Sequence, residues 1–149
     1  MTMVGQSQPA QKEEPLLAAY YSVKDALVSG DEKLASEKAK ELVKQLDAFA
    51  PSNQDAKTPT QLKNLKEKIK ADASKIASTT ALAGQRETFT PLSTNFFELA
   101  KLVDLSPSPV YQFYCPMKKA IWLSSESSVK NPYYGKQMLT CGSLQETLK

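Results

Sequence analysis

Apolar residues recur at helical spacing through the first two thirds of the chain. Leu16, Tyr20, Val23 and Leu27 follow at intervals of four, three and four, so they share one face of a helix that starts at Pro15. Gly30 is placed to end that helix and Asp31 to cap the next. In the second segment Leu34, Ala35, Ala39, Leu42, Val43, Leu46 and Phe49 are apolar, with lysines and glutamates between them, which predicts a helix to about Ala50. The turn-rich run APSNQDAKTP breaks it. Leu62, Leu65, Ile69, Ala73 and Ile76 predict a third helix from near Thr60. Leu82, Phe89, Leu92, Phe96, Leu99 and Val103 predict a fourth, from about residue 80 to 103. Pro91 lies inside it and predicts a kink, because proline lacks a backbone donor and crowds the preceding turn.

The pattern stops at SPSPV. Beyond it come two β-prone pieces, VYQFY and AIWLS, the turn-rich KNPYYGK, and a terminal GSLQETLK that reads as one more helical turn. The predicted fold is mainly all-α, a four-helix bundle with a C-terminal clasp of short β and irregular structure. Residues 1–13 read as a flexible lead. Residues 14–149 form a single domain, with the bundle over 14–105 and a tail rich in Cys, Met and aromatic residues, 106–149, packed on it.

Composition narrows the class. Hydrophobic residues make up 41%, charged residues 23%, and the mean hydropathy is −0.41 with no long apolar run, so a soluble domain without a membrane span is expected. Basic and acidic residues balance at 14 each up to residue 105, while the remainder carries 5 basic against 2 acidic. That excess is too small for a nucleic-acid footprint. The opening MTMVGQSQPAQKEEP has no apolar core of the kind a signal peptide carries.

The chain contains no histidine, which removes the ordinary Ser-His and Cys-His pairs. Its 5 glycines form no phosphate loop or dinucleotide fingerprint. An enzyme is not expected, and no catalytic or cofactor-binding residues are assigned.

Sulfur is the remaining candidate chemistry. The stretch YCPM places Cys115 beside Met117, and MLTCG places Met138 beside Cys141. Two thiolates and two thioethers suit Cu(I) or Ag(I) better than zinc, which takes thiolate, imidazole or carboxylate. The structural alternative is a Cys115–Cys141 disulfide or two buried thiols, with both methionines as packing residues. The rings of the tail also read two ways: Trp122, Tyr133 and Tyr134 either anchor it to the helices or face a protein partner. Arg86, set inside the fourth helix, reads as an anchor for the tail.

The tail YCPM…AIWLSSESSVKNPYYGKQMLTCGSLQETL, with YYSVKDALVSGD and QRETFTPLST upstream, resembles the domain of unknown function 3347 family of Bacteroidetes-type bacteria. The resemblance implies an exported, periplasmic or otherwise extracytoplasmic helical domain. It also implies partners among the adaptors of copper, silver and other heavy-metal efflux systems, or other envelope proteins. The family's motifs correspond here to Cys115, Pro116 and Met117, and to Met138 and Cys141. Histidines that the resemblance implies near the third and fourth helices are absent from KEKIKADASKIASTTALAGQRETF, so only the sulfur set carries over.

Overall fold

The computed structural model describes residues 15–49, 59–103, 105–106 and 108–148; the lead at 1–13 and most of the break after the second helix, 50–58, lie outside them. Four helices are followed by a small antiparallel sheet: α1 (Pro15–Ser29), α2 (Glu32–Ala48), α3 (Pro59–Ser78), α4 (Leu82–Leu102), β1 (Val110–Cys115), β2 (Ala120–Ser124) and β3 (Ser143–Leu148). A 3-10 turn, Gly135–Met138, lies between β2 and β3.

The helix ends follow local chemistry. Gly30 at φ 75° ends α1, and Gly30 N–H and Asp31 N–H donate back to the carbonyls of Leu27 and Ala26 at 3.2 and 3.0 Å. This crossed pair satisfies two carbonyls that the helix end would otherwise strand. Asp31 then caps α2 by accepting from Leu34 N–H at 3.0 Å. Pro91 lies on the exposed side of α4, which continues through it as one helix.

Each helix packs on the next in sequence, α1 on α2, α2 on α3 and α3 on α4. The core draws Leu16, Leu17, Val23 and Leu27 from α1, Leu42 and Leu46 from α2, Ile69 and Ile76 from α3, and Phe89, Leu92, Phe96 and Leu99 from α4. Tyr20 of α1 reaches α4 by stacking on Phe89 and Phe96, with ring centres 5.2 and 4.6 Å apart.

The sheet runs in the order β2-β1-β3, and it seats β2 against α4. Phe113 and Trp122 face each other across the β1–β2 pair and stack with centres 5.2 Å apart. The last segment corrects the sequence reading: Ser143–Leu148 is a strand, not a helical turn, paired to β1 with an irregular register at Gln112/Phe113. Its residues are largely exposed and carry little pattern of their own. Pairing with the free edge of β1 decides its conformation.

Candidate functional site

The sheet register brings the two sulfur clusters together. Cys115 ends β1, Tyr114 pairs with Ser143, and Cys141 stands two residues before that partner. Cys115 is buried, Cys141 is half-buried, and both are free thiols, so the disulfide that the sequence left open is not formed. Desolvation, then the electrostatic influence of Cys115 and a side-chain hydrogen bond with it, push the Cys141 thiol above its usual range.

Asn131 holds the loop that delivers Cys141. Its Nδ2 donates to the Cys141 carbonyl at 2.7 Å, and its Oδ1 accepts from Tyr133 N–H at 2.8 Å. Its backbone N–H donates to the Leu139 carbonyl at 2.7 Å, and its carbonyl accepts from Gly135 N–H at 2.9 Å. Cys141 N–H in turn donates to the Met138 carbonyl at 3.1 Å. The sequence showed Asn131 only as part of a turn, because its partners lie up to ten residues ahead and their return is a tertiary event.

The thioethers lie outward. Met117 is 64% exposed in the turn between β1 and β2, and Met138 is 39% exposed at the end of the 3-10 turn. Neither fills the core, as packing residues would. Among the described residues no group of three or more His, Cys, Asp or Glu side chains converges. A metal at the thiol pair would therefore draw further donors from methionine or solvent, which disfavours zinc.

The rings pack close to the same segment: a Cβ at Gly142, the residue after Cys141, would come within 2.8 Å of Trp122 Cη2. Trp122 and Tyr133 are buried, so they anchor the tail and present no face to a partner. Tyr133 touches Phe89 and Trp122 with ring centres 5.8 and 6.3 Å apart, and its hydroxyl donates to the Ile121 carbonyl at 2.6 Å. Trp122 Nε1 is buried with no hydrogen-bond partner among the described residues. Tyr134 is half-buried, with Lys118 Nζ 5.2 Å from its ring centre. Arg86 Nη2 donates to the Leu27 carbonyl at 2.7 Å, at the end of α1. A Cβ at Gly135 would come within 2.6 Å of that nitrogen, so the tail closes directly over the guanidinium. Burial pushes Arg86 below its usual range. Arg86, Tyr133 and Tyr134 line a cleft together with Glu87, Thr90 and Lys118, three residues that carry no signal in the sequence.

The family described as a protein of unknown function (DUF3347) matches residues 16–108, more than half of the chain. The chain belongs to this family. The segment matched to DUF3347 runs from Leu16, the second residue of α1, through α4, includes Arg86, and stops before β1. Cys115, Met117, Met138, Cys141 and the tail rings therefore lie beyond it. No curated protein and no solved structure matches the chain.

Proposed function

We propose that this protein is a non-catalytic accessory domain that binds a soft monovalent metal ion, Cu(I) or Ag(I), in the bacterial envelope. The four helices act as a bundle that supports the C-terminal clasp, and the clasp carries the ligands. The observation that carries the reading is the proximity of Cys115 and Cys141, set by the pairing of Tyr114 with Ser143 at the junction of two separate segments, with two exposed methionines flanking them in sequence. Cys115 and Cys141 would ligate as thiolates, and Met117 and Met138 as thioethers. Bound there, the ion would supply a labile, transferable charge, which suits exchange with a metal-efflux adaptor.

Binding must displace the thiol protons. The upward shift of Cys141 makes that displacement harder as pH falls, so Cu(I) affinity is expected to drop on acidification. The test is anaerobic competition against a chromogenic Cu(I) chelator. Reduced protein is expected to take up about one Cu(I), and zinc to compete poorly. Cys141→Ser should abolish uptake, and the Met117→Leu, Met138→Leu double variant should weaken it while keeping side-chain volume. Uptake unaffected by the double variant would leave the thioethers without a role, and no uptake by reduced protein would end the metal reading.

A further inference from the structure

A second site lies on the face of α4 turned toward the 131–135 turn. Ala83, Arg86, Glu87, Thr90, Tyr133 and Tyr134, joined by Lys118 from the β1–β2 turn, enclose a cleft of about 490 Å³. That volume falls within the range of small-molecule sites, about 300–1,000 Å³. We propose that this cleft binds a small organic carboxylate, with Arg86 and Lys118 holding its charge and the Tyr134 ring lying against its body.

The argument starts from a missing counter-charge. Arg86 is the chain's sole arginine, and among the described residues it forms no ion pair. Among the described residues its hydrogen bond is to a neutral carbonyl, and its buried Nε has no hydrogen-bond partner. A role limited to tying down the Leu27 carbonyl needs only a donor, and a permanent charge kept partly out of water without a counterion is costly. Glu87 lines the same cleft yet pairs with neither Arg86 nor Lys118. Both cations are thus uncommitted to acidic partners and face one volume.

The balance of charge selects the ligand. Among the described residues, two cations against one carboxylate leave a single net positive charge on the lining, which matches a monoanion better than a phosphate dianion. The Tyr134 ring, with the Lys118 ammonium beside it, offers a flat apolar surface next to the charge. A planar carboxylate joined to an apolar or aromatic body satisfies both features, since guanidinium and carboxylate are matched in shape. None of the sulfur ligands lines this cleft, so the inference stands apart from the metal reading.

A sole arginine gives one Nε–Hε resonance in a 1H–15N spectrum, which makes the test direct. Titrating the reduced full chain with benzoate is expected to move that resonance saturably, while benzyl alcohol, its uncharged counterpart, leaves it in place. Lys118→Met, at an exposed position, should weaken benzoate binding about tenfold, the loss expected for one charge-assisted bond. Glu87→Gln should tighten it by removing the opposing charge. The proposal is overturned if benzoate produces no saturable shift at millimolar concentration, or if both variants bind as the parent does. Inorganic phosphate binding more tightly than benzoate would overturn the carboxylate assignment.

Discussion

Asn131 engages both polar groups of its side chain and both of its backbone, and each bond fixes a different part of the tail: Tyr133, Gly135, Leu139 and Cys141. Asn131→Ala removes the two side-chain bonds and leaves Tyr133 N–H and the Cys141 carbonyl without them. Each buried group left unsatisfied costs about 1–3 kcal/mol, so the variant should lower the urea midpoint measurably. Under the proposed metal-binding role, the same change should also weaken Cu(I) uptake, because the loop would no longer hold Cys141 near Cys115. A variant with unaltered stability would show that the bonds to Asn131 are replaced by water. At this scale the sequence was legible where chemistry is carried by residue type alone. Cys115 and Cys141 stand out as the only two cysteines, and Trp122 as the only tryptophan. Asn131 and Lys118 do not, since turns commonly hold asparagine and surfaces commonly hold lysine; their roles exist only once the chain has returned on itself.

Among the elements, the helices were readable and the sheet only in part. Threes and fours in the apolar spacing located α1 to α4 within a few residues, because each helix buries a continuous stripe. The strands β1 and β2 announced themselves through aromatic and branched residues, whereas β3 is ordered by an edge it did not encode. That dependence makes Gly142 critical. It stands just before β3 at φ 144°, and a Cβ there would lie 2.8 Å from Trp122 Cη2 and 3.0 Å from the Tyr114 carbonyl. Gly142→Ala combines a disfavoured backbone with a collision against a fixed ring, a cost of about 1–3 kcal/mol from the backbone alone. Amide exchange should show β3 and the facing amides of β1 losing protection before the helices do. Equal loss of protection throughout would mean that β3 is not the element Gly142 secures. The other edge of the sheet is met by side chains: Leu123 N–H donates to Tyr20 Oη at 3.0 Å, and the Ile121 carbonyl accepts from Tyr133 Oη. These two hydroxyls occupy two of the outward backbone groups of β2, which would otherwise be open to another strand.

For the molecule as a whole, those hydroxyls join helices to sheet and set a limit on pH. Tyr20 Oη also bonds Ser93 Oγ at 2.7 Å, so one phenol links α1, α4 and β2. Burial is the main cause that pushes Tyr20 and Tyr133 well above the ordinary tyrosine value, which is about 10. The sign follows from proton counting. Above that value the unfolded chain gives up phenolic protons that the folded protein retains, so the folded state binds more protons and its stability falls as pH rises. Below it both states are protonated and the two tyrosines impose no pH dependence. Thermal midpoints should therefore decline through the alkaline range while the metal-free protein loses little between neutrality and the onset of tyrosine ionisation. Tyr133→Phe removes one retained proton along with the bond to the Ile121 carbonyl. It should start from a lower midpoint at neutral pH and decline less steeply above about pH 10. Spectroscopic titration of tyrosinate supplies the independent check: two phenols should ionise only as the fold is lost. An unchanged alkaline slope in Tyr133→Phe, or six phenols ionising freely in the folded state, would show that the junction between helices and sheet does not depend on these buried hydroxyls.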